Sequence, residues 1–216
     1  MSEPDELFTL RNHFWLGSYQ LAIAEGSGLG RLPDNLRIER DEFIYRSYLA
    51  LAQYSVVLGE IKDNAPPALQ AVRLLAQYLS QPDSREIVVE TLKEWLSDAS
   101  SGNNPTLQLM AATVFMHEGD LKQSVRVLRN GVTMEQIAMM AQLYLRMDRV
   151  DLAVMQLRVM QASDEDATLT QIVLAWVHMA QGGKKYQEAA YIFDELIDKH
   201  QARRGEFNGN ATNYRT

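Results

Sequence analysis

The feature that most constrains the fold is a pair of amphipathic helices joined by a glycine turn within residues 164–199. On both sides of Gly182 and Gly183, apolar residues recur at steps of three and four, which places them on one face of each predicted helix. These faces comprise Leu169, Ile172, Val173, Trp176 and Met179 or Ala180 in the first helix, and Tyr186, Ala189, Ala190, Phe193, Leu196 and Ile197 in the second. One hairpin of this kind cannot bury its own apolar face, so the sequence predicts similar units stacked on either side.

Further helix–turn–helix patterns precede this hairpin, and the order of tyrosine, alanine and aromatic residue after its turn is typical of a tetratricopeptide repeat. The residues just past each predicted turn lie 29 to 36 positions apart, and they are Tyr19, Tyr54, Arg85, Leu121, Val150 and Tyr186. Periodicity alone leaves another αα-solenoid open, but the spacing is close to the tetratricopeptide period of about 34 residues. We therefore predict an all-α fold, a tetratricopeptide-like right-handed α-solenoid of about six helix pairs over residues 1–200. Residues 201–216 lack an apolar period and are predicted to form a non-repeat, disordered tail.

Charge and cysteine content exclude several classes of protein. The net charge is -7 and the pI is near 5.1, which argues against a nucleic-acid partner because such proteins carry a concentrated basic face. The absence of cysteine removes disulfides, thiolate zinc sites and cysteine nucleophiles, and it suits a cytosolic protein. The acidic N-terminus does not have the pattern of a secretory signal, and no apolar run is long enough to span a membrane.

Motifs for catalysis, cofactors or metals are not found in the sequence. The stretch Gly26–Gly30 is interpreted as a helix terminator and connector, because a phosphate-binding loop needs a strand before it and a helix directly after it. The acidic residues 164–166 are interpreted as a helix N-terminal cap. The four histidines match no metal-ligand spacing, and they are His13, His117, His178 and His200. We therefore predict a protein that is not an enzyme and has no cofactor.

A more specific resemblance rests on seven blocks that follow one another along the chain. They are Asp5–Phe8, Gly17–Gln20, Glu39–Ala50, Leu69–Arg73, Leu109–Ala112, Asp148–Ala153 and Asp164–Gln171, the last followed by Ala175 and Trp176. In this order they closely resemble the epsilon subunit of coatomer, the coat of COPI vesicles. The resemblance extends from residue 5 to about residue 199. Members of that family continue into further repeats where this chain has its tail, so the resemblance is to a C-terminally shortened form, either a splice product, a truncation or an expression artefact.

The resemblance implies a non-catalytic coat component that curls around and stabilises the C-terminal region of the coatomer alpha subunit, and contacts other coatomer subunits indirectly. It further implies transport from the Golgi to the endoplasmic reticulum and within the Golgi. The protein would then be cytoplasmic and attached peripherally, through the coat only, to Golgi membranes and COPI-coated vesicles. Repeat logic assigns partner-binding positions to the first helix of each pair, at Tyr45, Arg73, Gln77, Gln108, Gln142 and Gln171. The alternative for each of these residues is a solvated helix face with no function.

A second class of function is a tetratricopeptide co-chaperone or scaffold that binds a peptide. A co-chaperone of this kind clamps a C-terminal carboxylate with Lys, Arg and Asn side chains that converge from consecutive first helices. The predicted first helices at 106–116 and 167–180 contain no Lys or Arg. The sequence therefore favours the coat subunit over the co-chaperone.

Overall fold

The structure, a computed structural model, describes residues 5–212 of the chain and their side chains as far as Lys199. Within this range the chain forms twelve α-helices and one 3-10 turn at Pro82–Ser84, and no residue lies in a strand. The helices form six consecutive pairs: α1 (Phe8–Trp15) with α2 (Tyr19–Gly28), α3 (Asp34–Ala50) with α4 (Tyr54–Glu60), α5 (Pro67–Ser80) with α6 (Arg85–Ser97), α7 (Pro105–His117) with α8 (Leu121–Leu128), α9 (Met134–Arg146) with α10 (Val150–Ser163), and α11 (Thr168–Gln181) with α12 (Lys185–Thr212). The predicted all-α solenoid of six helix pairs is confirmed.

The packing of the pairs is the same along the chain. Each second helix contacts the first helix of its own pair, and the second helices from α2 to α10 also contact the first helix of the next pair. Each first helix also contacts the first helix that follows it, from α1 through α3, α5, α7 and α9 to α11. The first helices therefore form a continuous inner layer, which is the arrangement expected of stacked helical repeats.

Four of the turns inside the pairs share one local geometry. A residue with positive φ lies two positions before the second helix in each case, and these residues are Gly17, Ala52, Gly119 and Asp148. The backbone N–H of the next residue bonds to the carbonyl five positions earlier, as from Ser18 to His13 at 2.8 Å, which closes the end of the first helix. Because this cap is built from local residues, the predicted starts of these four second helices are confirmed. The predicted start of α6 at Arg85 is also confirmed, without this cap. The second helix of the sixth pair, α12, begins at Lys185 rather than at the predicted Tyr186.

The predicted connector after α2 begins later than its first glycine. Gly26 and Gly28 both belong to α2, and the connecting segment follows from Leu29. Gly26 is buried where α2 contacts α3, and a Cβ atom at this position would lie 2.7 Å from Cγ1 of Ile44. Gly26 therefore allows the two helices to approach closely.

The hydrophobic core shows that the solenoid curls back towards its start. The largest cluster of buried residues runs through the middle pairs, from Leu49 to Leu143, and a second cluster joins α9, α10 and α11. Trp15 at the end of α1 packs against this second cluster, and α1 contacts α11. The first pair therefore meets the fifth and sixth pairs, which brings distant segments of the chain to one site.

The apolar face predicted for the last helix is only partly buried. Ala189 and Leu196 are buried, whereas Tyr186 is 58% exposed and Ile197 is 51% exposed. The physical reason is that, among the described helices, α12 has its extensive contact with α11 alone. The backbone of α12 is helical to Thr212, but side chains from residue 200 and the whole of residues 213–216 lie outside the described part. The domain boundary at residue 200 and the disordered tail stay predictions.

Candidate functional site

The six residues predicted to bind a partner all lie on first helices, and all are half-buried. Their polar contacts are mostly local: Arg73 pairs with Asp63, and Gln171 Nε2 donates to the carbonyl of Glu165 at 2.8 Å. Gln108 is the exception, because its Oε1 accepts a 2.7 Å hydrogen bond from Gln136 of the next pair. Within the described side chains, no hydrogen bond or ion pair joins two of the six, which also include Tyr45, Gln77 and Gln142. Their role in binding stays a prediction.

The side chains that the fold does bring together centre on an ion pair between α3 and α9. Nη1 and Nη2 of Arg46 donate to Oε2 and Oε1 of Glu135 at 2.9 and 2.8 Å. The guanidinium carbon of Arg46 also lies 4.6 Å from the ring centre of Phe14 and 5.2 Å from that of Phe43. The planar guanidinium suits two-point hydrogen bonding and stacking on aromatic rings. This contact therefore fixes both the distance between Arg46 and Glu135 and their relative orientation.

The indole of Trp15 attaches α1 to the same ion pair. Nε1 of Trp15 donates to Oε1 of Glu135 at 3.1 Å. One turn earlier, Nε of Arg11 donates to Oε1 of Glu39 on α3 at 2.8 Å, and its Nη1 pairs with Asp5 at 2.6 Å. Helices from the first, second and fifth pairs are therefore held together by polar contacts.

Helix caps place two of the polar groups at this site. Asn104 accepts the backbone N–H of Leu107 at 2.9 Å and caps α7, so Thr106 lies in the first turn of that helix. A capping box in which Thr133 and Gln136 satisfy each other's backbone groups opens α9. Glu135 lies between these two residues in the first turn of α9, where the N-terminal end of the helix dipole favours its negative charge.

The ion pair remains charged although it is largely removed from water. Burial by itself raises the pKa of Glu135, but the charge and hydrogen bonds of Arg46 outweigh burial and hold that pKa below its ordinary value of 4.5. Burial likewise lowers the pKa of Arg46, but Glu135 outweighs it and keeps that pKa above its ordinary value. Each partner therefore stabilises the charge of the other, and loss of one would leave an uncompensated charge.

A cavity of about 490 Å³ lies beside the ion pair, between α1, α3, α7 and α9. Oε2 of Glu42 accepts a 2.7 Å hydrogen bond from the Thr106 hydroxyl at this cavity. The pKa of Glu42 is raised to about 7, mainly by burial and also by the charges of Glu135 and Glu39, which together outweigh the Thr106 hydrogen bond and the charge of Arg46. The walls also include the side chains of Arg11, Trp15, Ile38, Phe43, Leu109 and Met134. The cavity thus combines apolar walls with a carboxyl group that exchanges its proton near neutral pH.

This network was not predicted from the sequence. A signal was present, because Glu39, Glu42 and Arg46 are spaced three and four residues apart and so share one face of a first helix. Glu135, however, is 89 positions from Arg46, and no local pattern indicates that they meet.

Two further properties hold for the described residues. Among the helices of residues 5–212, none has the length and apolar content needed to cross a membrane. Among the described side chains, those of residues 5–199, no three from His, Asp or Glu are grouped in a way that could hold a metal ion.

Comparison with known proteins identifies the family. The family model described as the coatomer epsilon subunit matches residues 3–213. Coatomer subunit epsilon-2 of Arabidopsis thaliana is 46% identical over 208 residues, which are 96% of this chain and 71% of the relative. The coatomer subunit epsilon of Dictyostelium discoideum is 34% identical over 96% of this chain and 72% of its own length. The coatomer subunit epsilon of Caenorhabditis elegans is 31% identical over 91% of this chain and 67% of its own length. Because the match runs through all six helix pairs, the chain belongs to the coatomer epsilon subunit family.

Proposed function

We propose that this chain binds and stabilises the C-terminal region of the coatomer alpha subunit through the inner layer of its first helices. Family membership makes the chain a subunit of the COPI coat. The proposal adds which subunit it binds and how. It also places the chain in transport from the Golgi to the endoplasmic reticulum and within the Golgi, as a non-catalytic component. The chain would lie on the cytosolic face of Golgi membranes and COPI vesicles, attached through the coat.

The observation that carries the proposal is the curled inner layer held by Arg46, Glu135 and Trp15. These contacts join the first, second and fifth pairs of the free chain, so the inner surface is already shaped before a partner arrives. A preformed surface loses less conformational freedom on binding than one that must first be ordered. The ion pairs in this region link helices to one another, which supports a structural role.

The first test is calorimetric titration of the chain with the purified C-terminal region of the alpha subunit. We expect one-to-one binding and a rise in melting temperature at saturating partner, because a ligand of the folded state stabilises it. Arg73→Ala and Gln142→Ala should weaken binding if the inner layer is the contact surface. Lys93→Ala, on the exposed side of α6, is the matched control.

A parallel sample that ends at Lys199 tests the predicted tail, and equal affinity would show that residues after 199 are dispensable. Absence of binding by a chain that circular dichroism shows to be folded would contradict the proposal. A peptide that ends in a free carboxylate, from the C-terminus of a chaperone, tests the co-chaperone alternative. Binding of that peptide in place of the alpha subunit would favour the alternative.

A further inference from the structure

We infer that the cavity between α1, α3, α7 and α9 is a receptor site for the cationic side chain, lysine or arginine, of a bound protein segment, with Glu42 as its counter-ion. The inference rests on the proposed function, because it assigns this cavity to the segment of the alpha subunit that lies on the inner layer. It names the chemistry of a contact that the family assignment leaves open.

Glu42 lacks a partner of opposite charge within ion-pair distance among the described side chains. Its neighbours Glu39 and Glu135 are paired with Arg11 and Arg46, respectively. Glu42 has only the neutral hydroxyl of Thr106, although it is largely removed from water. An incoming cation stabilises a carboxylate in such a position more than it stabilises an exposed carboxylate, because water screens their attraction less.

The charges around the cavity also favour a cation. Arg46 and Glu135 neutralise each other, and the single guanidinium of Arg11 is shared between Asp5 and Glu39. With Glu42 ionised, the groups on α1, α3 and α9 and in the segment before α1 carry an excess of negative charge, and α7 contributes only the Thr106 hydroxyl. An incoming cation corrects this excess, whereas an incoming anion would increase it.

The chain already uses this chemistry beside the cavity. Arg46 lies over the rings of Phe14 and Phe43 while it pairs with a carboxylate. The cavity offers the same two elements, a carboxylate at Glu42 and an aromatic wall at Trp15, and the cation in its wall, Arg11, is already paired with Asp5 and Glu39. Its volume of about 490 Å³ lies within the range of pockets that take small ligands, so a long side chain fits.

The first experiment uses N-acetyl-argininamide as the probe, with its neutral citrulline analogue as control. Binding is followed by the indole N–H resonance of Trp15, which lines the cavity. We expect a saturable shift with the arginine probe and none with the citrulline analogue. Since Glu42 is protonated below about pH 7, affinity should rise about ninefold from pH 6 to pH 8, as its ionised fraction grows from about 0.1 to about 0.9.

Glu42→Gln is the decisive variant, because the amide keeps the size of the side chain and can still accept from Thr106. It should weaken the arginine probe at least about fivefold at pH 8 and abolish the pH dependence. Glu86→Gln, an exposed carboxylate on a helix that does not line the cavity, should bind as the unchanged chain does. Equal binding by the unchanged chain and Glu42→Gln, or an equal response to the citrulline analogue, would overturn the inference.

The second experiment repeats the alpha-subunit titration with Glu42→Gln. A tenfold or greater loss of affinity at pH 8 supports the inference, and unchanged affinity overturns it while the proposed function stands. If the alpha-subunit region does not bind the unchanged chain but the arginine probe saturates, the cation site is supported and the proposed partner is wrong. The two failures are thus distinguishable.

Discussion

Arg46 donates two hydrogen bonds to the carboxylate of Glu135, a residue 89 positions further along the chain. The same carboxylate accepts from the indole of Trp15, which is 120 positions away from it. One side chain of the fifth pair thus contacts the first and second pairs. The curvature of the solenoid is held by a contact between its distant parts as well as by the stacking of neighbours.

Replacement of Glu135 with Gln should lower the free energy of unfolding by about 3 kcal/mol, because it leaves the charge of Arg46 uncompensated in a largely buried site. Urea denaturation followed by tryptophan fluorescence measures this loss. The double variant Arg46→Met with Glu135→Leu should recover much of it, since neither charge then remains. A loss below about 0.5 kcal/mol for Glu135→Gln would mean that the ion pair behaves as an exposed one.

The pH dependence of Glu135 has a definite sign. Its pKa is lowered in the folded chain, so its stabilising contribution is present above the ordinary value of 4.5 and is lost as the pH falls through the folded pKa. We therefore expect a difference in melting temperature between the unchanged chain and Glu135→Gln at neutral pH. The difference should shrink below pH 4.5, and a difference that instead grew in acid would contradict this assignment.

Glu42 should act in the opposite direction. Its folded pKa of about 7 exceeds the ordinary 4.5, so the folded chain holds a proton that the unfolded chain has released. Its contribution to stability therefore falls as the pH rises from about 4.5 to about 7 and stays constant above that range. Glu42→Gln should be about 1–3 kcal/mol more stable than the unchanged chain at pH 8, with little difference near pH 4.5. Melting curves across this range, compared with Glu86→Gln, measure the effect, and a gap independent of pH would contradict it.

The positive-φ turns predict a pair of opposite effects. Ala52 adopts φ 56° at an exposed position, so Ala52→Gly should stabilise the chain by about 0.5 kcal/mol as relief of strain exceeds the added freedom of the unfolded state. Gly119 adopts φ 80° with no atom near its missing Cβ, so Gly119→Ala should destabilise by about 1 kcal/mol through the backbone alone. Chemical denaturation of both variants measures the two signs. The same sign for both would show that backbone conformation does not govern these turns.

The close contact of α2 with α3 predicts a steric effect at Gly26. Gly26→Ala places a methyl group against Ile44 and should destabilise the chain by about 1–3 kcal/mol. Gly28→Ala, in the same helix but with open space around it, should be neutral or slightly stabilising and is the matched control. Addition of Ile44→Ala to Gly26→Ala should recover part of the clash, and the double variant measures the coupling between the two positions.

The turns and helix faces could be predicted because their causes lie within a few residues. Helical spacing of apolar residues located the pairs, and a cap completed within five residues fixed the start of the second helix at Tyr19, Tyr54, Leu121 and Val150. The family could be inferred from blocks of sequence without reference to any contact.

The site could not be predicted in the same way. The six positions chosen from repeat logic lie on the expected helices, but the structure gathers Arg11, Trp15, Glu42, Arg46 and Glu135 instead. By itself the sequence determined the helices, their turns and their order, because short-range hydrogen bonds and periodicity encode them. Only the tertiary structure decided which distant charges meet and that Glu42 loses its water, because small rotations between successive pairs accumulate along the whole solenoid before its ends come together.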